Sequence, residues 1–194
     1  MTLVGFKRLT IGVFGTDGKV TKKYVVEGKQ DKGATSEAEI TGLSKEATKV
    51  FGSNIAYYVS QKGVGDVSVN YGLLDLPDDV NDAILGYKAA ESGITYIGED
   101  TEPPYISTLM ESEDLNGDKV YLGMLKGKMG RESIQMATTT NEAFEPEAEE
   151  YVMTCIADDK DGESKGQYVA KYIGKEDTSL KKIEDVLFPG YTAP

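Results

Sequence analysis

Val67, Val69, Tyr71 and Leu73 alternate with Asp66, Ser68, Asn70 and Gly72. Apolar residues at every second position can be buried together only if the segment is a strand with one face on a core. The same alternation recurs along the chain, and turn signals interrupt it at short intervals. Leu9, Ile11 and Val13 share one face of a first strand, and Asp17-Gly18 turns it into a second strand carrying Val20, Tyr24 and Val26. Asn116-Gly117 joins a strand with Ile106, Thr108 and Met110 to one with Val120, Leu122 and Met124. Ala38 and Ile40 alternate with Glu37 and Glu39. Such a pattern predicts a mainly antiparallel β architecture.

Three short helices are expected between the strands, which makes the fold class α+β with a sheet majority. Ser44 suits the cap of a turn or two bearing Ala47, Val50 and Phe51 and ended by Gly52. Pro77 suits a first helical position, with Asp78 and Asp79 at the positive end of the dipole and Val80, Ile84 and Leu85 as the apolar stripe. Thr178 or Ser179 would cap a third helix whose Leu180, Ile183 and Leu187 face the core until Pro189 stops it. Residues 141–150, with five Glu and one Pro, are expected to be a connector, and residues 158–165 a charged turn. No internal repeat is present, and 194 residues suffice for one domain spanning 1–194.

Composition removes most chemistry. There is no histidine, which excludes Ser-His, Cys-His and His-metal sites. Cys155 is the only cysteine, so neither an intrachain disulfide nor a cysteine metal cluster is possible. A net charge of -12 opposes binding of phosphates, because nucleic-acid affinity comes largely from Lys and Arg displacing counterions. No transmembrane run is present, and Lys7 and Arg8 break the apolar N-terminal stretch, so no signal peptide is read there.

The motifs that remain have plainer explanations. Asp158, Asp159, Asp161 and Gly162 suggest a calcium loop, but placing Gly162 at the bend puts Ala157 and Tyr168 at the first and last ligand positions. Ser179-Leu180-Lys181-Lys182 matches Ser-x-x-Lys without any companion motif, and Ser179 is better used as a helix cap. Gly63-Val64-Gly65 lacks the spacing of a phosphate loop. Cys155 lies in an alternating run with Met153 and Ala157, so burial is its expected state. Twelve tyrosines could build a carbohydrate platform, but tyrosine is equally a strand and interface residue. Catalytic, metal and cofactor sites are therefore all expected to be absent.

An ordered series of short segments runs through the whole chain. It comprises Gly5-Phe6-Lys7-Arg8-Leu9, Ile40-Thr41-Gly42-Leu43, Gly52-Ser53-Asn54, Leu73-Leu74-Asp75-Leu76-Pro77, Ile97-Gly98-Glu99-Asp100-Thr101-Glu102-Pro103-Pro104-Tyr105, Glu111-Ser112-Glu113-Asp114, Leu125-Lys126-Gly127 and Phe188-Pro189-Gly190-Tyr191. In these segments the chain resembles the major tail tube proteins of long-tailed bacteriophages, those with non-contractile (siphovirus) tails and Gram-positive hosts most of all. The resemblance implies a β-sandwich or barrel-like subunit with a flanking helix, made in the host cytoplasm and incorporated into the virion tail. It implies hexameric rings stacked around a tape measure protein, bounded by tail tip (initiator) and terminator proteins, through which DNA passes as transient cargo. A phage-derived tail-like bacteriocin is an equivalent setting. The alternative from another class is a carbohydrate- or receptor-binding β-sandwich.

Under this resemblance Glu37, Glu39 and Asp66 are candidates for an acidic lumen wall that denies phosphates a sticking point, within a screening length of about 8 Å. An extended loop at residues 87–104, closed by Pro103 and Pro104 and followed by Tyr105, is a candidate inter-ring contact. The C-terminal arm, residues 188–194, with Phe188 and Tyr191 as anchors, is another. Deleting that arm is expected to leave a folded subunit unable to form tubes.

Overall fold

The frame is built by the two hairpins that Asp-Gly and Asn-Gly turns announce. In the computed structural model, β1 (Leu3–Phe14) pairs antiparallel with β2 (Val20–Val26), and β9 (Tyr105–Asp114) with β10 (Lys119–Gly130). The structure describes residues 2–138, 141, 143, 145–174 and 177–192, without the side chains of 177–179. In the second hairpin turn the Asp114 carboxylate accepts from the backbone N–H of Asp118 (2.9 Å) and of Asn116 (2.8 Å). The bond from Asp118 is the main reason that carboxyl is held below its ordinary range. β1 also pairs with β9, so the two hairpins form one four-stranded layer, β2-β1-β9-β10.

β10 carries the chain from one layer into another. Its first half, Val120 to Met124, pairs with β12 (Val169–Ile173), and its second half, Gly127 to Gly130, pairs with β11 (Glu149–Cys155). A register shift between Met124 and Gly127 marks the change, as a bulge does where a strand must bend. From β11 the sheet continues through β6 (Ser68–Leu74) to β3 (Ala34–Thr41), giving the order β2-β1-β9-β10-β11-β6-β3. The far ends approach each other: Thr35 in β3 donates its hydroxyl hydrogen to the Phe6 carbonyl in β1, 2.5 Å away. The main core fills the space between, with Leu9, Ile11, Val69, Tyr71, Met124, Tyr151 and Met153 fully buried. This is the mainly antiparallel α+β fold that the alternation predicts.

Two helices occur among the described residues. α1 (Asp78–Leu85) follows Pro77 and turns Val80, Ile84 and Leu85 into the main core. α2 (Asp177–Leu187) lies on the opposite face of the β1/β9/β10 layer, where Ile183, Leu187 and Phe188 join Val20, Leu109, Tyr121 and Leu125 in a second cluster. Capping by Thr178 or Ser179 falls on side chains outside those described. Close docking of α2 depends on bare backbone beneath it. A Cβ on Gly123 would sit 2.4 Å from Leu187 Cδ1, and one on Gly12 would sit 2.5 Å from Phe188 Cδ1. Ser107 fixes the end of the helix by donating to the Leu187 carbonyl at 2.5 Å.

The helix expected over Ala47, Val50 and Phe51 is instead a strand. β4 (Thr48–Gly52) and β5 (Ile55–Ser60) form a separate two-stranded hairpin. Ser53 and Asn54 both take positive φ, 51° and 66°, as a tight two-residue hairpin turn demands, and the β-branched and aromatic residues on either side favour strands. Residues 87–104 likewise contain a short hairpin, β7 (Lys88–Ala89) with β8 (Thr95–Tyr96).

Candidate assembly surfaces

The half of the sheet formed by β10, β11, β6 and β3 has one face on the main core and one free of helices. Directly opposed residues share a face, so the register assigns each row. Tyr71 and Tyr151 form one inward row, which ends at the edge strand on exposed Ala38, and Ile40, Val69, Met153 and Met129 form another. The outward rows are Glu37, Gly72 and Glu150; then Glu39, Asn70, Val152 and Gly130; then Thr41, Ser68, Thr154, Lys128 and Tyr105. Carboxylates, an amide and hydroxyls dominate these rows, in which Val152 is the only aliphatic side chain; half-buried Leu74, paired with Ala34, ends the same face. Neither helix seats its apolar stripe here, since α1 packs into the main core and α2 into the second cluster.

Charge on this face is acidic. Glu37, Glu39 and Glu150 are exposed. The single cation among these rows, Lys128, is neutralised by Glu102 (3.0 Å) and lies over the Tyr105 ring, 5.0 Å from its centroid. Thr41 and Ser68 share a hydroxyl hydrogen bond of 2.8 Å. Of the candidate wall residues, the register therefore brings Glu37 and Glu39 together on one polar face. Asp66 is exposed at the entrance to β6, before the paired strand begins. Sequence reasoning missed Glu150 and Thr154, although each lies next to a core residue in an alternating strand.

Two apolar projections contrast with that surface. In the β4/β5 hairpin Phe51 is 69% and Tyr57 80% exposed, and Val50, Ile55, Tyr58 and Val59 are exposed with them. An isolated two-stranded hairpin is marginal in water, and this one has both faces bare. The segment around β7/β8 exposes Ile94, Tyr96 and Ile97. Monomeric proteins rarely leave so many large apolar side chains uncovered on neighbouring positions.

The other candidate contacts occupy mixed environments. Pro103 and Pro104 are half-buried and Tyr105 is exposed at the start of β9. Phe188 is buried inside the subunit against Gly12, with the Lys23 ammonium 4.7 Å above its ring, and Tyr191 is half-buried beside it. The Pro189 carbonyl accepts from the Val20 N–H at 2.9 Å, so the arm is tied to the start of β2. Residues 193–194 lie outside the described part. Cys155 is buried and its thiol is pushed up to about 11 by loss of solvation. The exposed tyrosines, Tyr57, Tyr58, Tyr96 and Tyr105, are spread over three separate elements.

A polar sheet face without a helix on it and two exposed apolar hairpins define a β-rich subunit with two contrasting kinds of bare surface. The chain belongs to the phage tail tube protein family, whose model matches residues 1–194. It is thus a structural component of the virion tail, where the tail tube self-associates and meets other tail components. A search among curated proteins found no match to this chain.

Proposed function

We propose that this protein assembles, as one domain over residues 1–194, into hexameric rings that stack into the hollow tube of a non-contractile phage tail. The polar face of β3, β6, β11 and β10 lines the bore, with Glu37, Glu39, Asp66 and Glu150 as its acidic groups. Genomic DNA passes along that wall toward the host, and like charge keeps the phosphates from binding it. The observation that carries this reading is the pairing of an acidic, helix-free face with an apolar core directly beneath it, in a chain of the tail tube family. A wall of this kind needs no catalytic group and no cofactor, and we assign none.

Inter-ring contact falls to the projecting elements. Residues 87–104, with Ile94, Tyr96 and Ile97 bare and Pro103, Pro104 and Tyr105 at the base, reach toward the next ring. The β4/β5 hairpin joins them because burial of its six apolar side chains on assembly would supply a large hydrophobic gain, about 25 cal/mol per Å² removed from water. The C-terminal arm contributes through Tyr191 and the residues after it, while Phe188 anchors it. Within the tail the tube encloses a tape measure protein and ends on tip and terminator proteins. The subunit is made in the cytoplasm of a Gram-positive host.

Purified protein imaged by negative-stain electron microscopy over a concentration series, with light scattering on the same samples, tests this. Rings or hollow tubes of uniform diameter are expected. A monomer at every concentration that also ignores a purified tail-tip complex would overturn it.

A further inference from the structure

One concave surface of the helix-covered layer is basic, against the charge of the whole chain. Where β2 begins, the strand and the C-terminal arm enclose an open groove of about 430 Å³, lined by Lys22, Lys23, Tyr24, Tyr191 and Thr192. The bond from the Val20 N–H to the Pro189 carbonyl sets the arm against the strand, and the Lys19 side chain passes close to Gly190 at the rim. Lys23 is committed inside the subunit, to Glu184 and to the rings of Phe188 and Tyr191. Lys19 and Lys22 are exposed and form no ion pair among the described residues.

The matching chemistry lies at the other end of the subunit. Glu145, Pro146 and Glu147 are exposed and belong to no strand or helix, and neither carboxylate forms an ion pair among the described residues. The register fixes where this run sits. Val13, Ile106, Gly127 and Cys155 share one cross-strand row, which places the last residue of β11 at the groove end of β1. Thr35, Leu73 and Glu149 share another row, and Thr35 bonds the Phe6 carbonyl, which places the first residue of β11 at the far end. From Phe6 to Phe14 a strand spans roughly 25 Å, at about 3.3 Å per residue, so the acidic run and the groove cannot meet within one copy.

We infer that Glu145-Pro146-Glu147 of one copy seats in the groove between β2 and the C-terminal arm of the next copy along the stack. The carboxylates meet Lys19 and Lys22, and the Pro146 ring lies against Tyr24 and Tyr191. The inference rests on the stacked-ring reading above and names two surfaces through which stacking occurs. Charge complementarity carries it: an acidic chain keeps two unpaired lysines beside one groove and an unpaired acidic run at the opposite end. A contact between opposite ends is head-to-tail, the form that propagates along a stack. A proline-bearing extended segment suits an aromatic-lined groove because it has little freedom to lose on binding. The other acids at that end are already used. Glu149 holds Arg131 at 2.8 Å, and Asp78 and Asp79 occupy the first turn of α1, where the helix dipole favours them. Acidic copies repel one another overall, and this contact sets opposite charges together where they touch.

Charge reversal in the full chain tests the contact. Lys19→Glu with Lys22→Glu, and separately Glu145→Lys with Glu147→Lys, alter only exposed side chains, so unfolding midpoints should stay near wild type. Each variant alone should form no tubes by microscopy and light scattering, because like charges then face each other. The second variant separates the contact from net charge: it lowers the overall repulsion between copies, yet it should lose assembly. Mixed in equal amounts, the two variants should form tubes again, since each supplies the complement the other lacks. The chain carrying all four changes should assemble alone. Assembly by either variant alone, or no recovery on mixing, would overturn the contact while leaving the tube intact. Loss from the lysine changes only would also overturn it, and would give the groove to an acidic partner other than a second copy. A wild-type chain that forms no tubes would instead remove the stacking reading and this contact with it. Carbodiimide coupling of wild-type tubes avoids substitutions altogether: peptide mapping should find Lys19 or Lys22 joined to Glu145 or Glu147, and formed tubes without such links would refute the contact.

Discussion

Gly123 shows how much of this fold rests on the absence of a single carbon. A methyl group there would lie 2.4 Å from Leu187 Cδ1, and Leu187 is fully buried on the sheet-facing side of α2 with little room to yield. Gly123→Ala is therefore expected to destabilise the subunit by about 1–3 kcal/mol in urea unfolding, as overpacking does. Adding Leu187→Ala should cost less than the sum of the two single changes, because the second removes the clash created by the first. Cys155 supplies a pH signature. Its folded thiol titrates near 11 against an ordinary value of 9.0, so the unfolded chain loses its proton first as pH rises. Stability should hold below about pH 9 and fall between about pH 9 and 11, where the unfolded state binds fewer protons than the folded one. Thermal unfolding of wild type against Cys155→Ala across that window would show the difference, and identical pH profiles would contradict it. Burial of Cys155 was legible from its alternation with Met153. The role of Gly123 was not, because nothing local to Leu122-Gly123-Met124 says that a helix more than fifty residues downstream will lie on it.

Among the elements, hairpins with a strong local turn were legible and those without one were not. Asp17-Gly18 and Asn116-Gly117 place β1/β2 and β9/β10 correctly because the turn residues themselves demand the geometry. Ser53-Asn54 carries a weaker signal, and the spacing of Ala47, Val50 and Phe51 imitated a short helix ended by Gly52. The resulting hairpin, β4/β5, is the element with most to gain from a partner. Phe51→Ser with Tyr57→Ser should leave the unfolding midpoint of the free subunit nearly unchanged, since exposed substitutions usually shift stability by no more than about 0.5 kcal/mol. The same pair should suppress assembly in light scattering; full assembly by that variant would remove the hairpin from the interface. The C-terminal arm behaves differently. Because Phe188 is buried against Gly12, Phe188→Ala is expected to cost about 3–5 kcal/mol of subunit stability. Deleting residues 188–194 would therefore confuse folding with assembly, whereas deletion after Tyr191 separates them.

At the scale of the whole molecule, alternation alone identified Glu37 and Glu39 as one face of a strand but not which face of which layer they occupy. That answer is long-range: it depends on β3 pairing with β6, β6 with β11, and β11 with the second half of β10, which together add Glu150 and Thr154 to the same wall. The net charge of -12 bears on assembly as well. Copies repel one another at low ionic strength, so light scattering should show assembly strengthening as salt shortens the screening length toward about 8 Å at physiological concentration. The central claim, that this face lines a closed bore, is tested most directly by thiol labelling of Glu39→Cys in assembled tubes. A small maleimide should react with it, whereas a polymer-linked maleimide too wide for the bore should react only after the tubes are dissociated, and buried Cys155 should remain silent in a wild-type control. Equal labelling by the large reagent in intact tubes would place Glu39 on the outside and contradict the account.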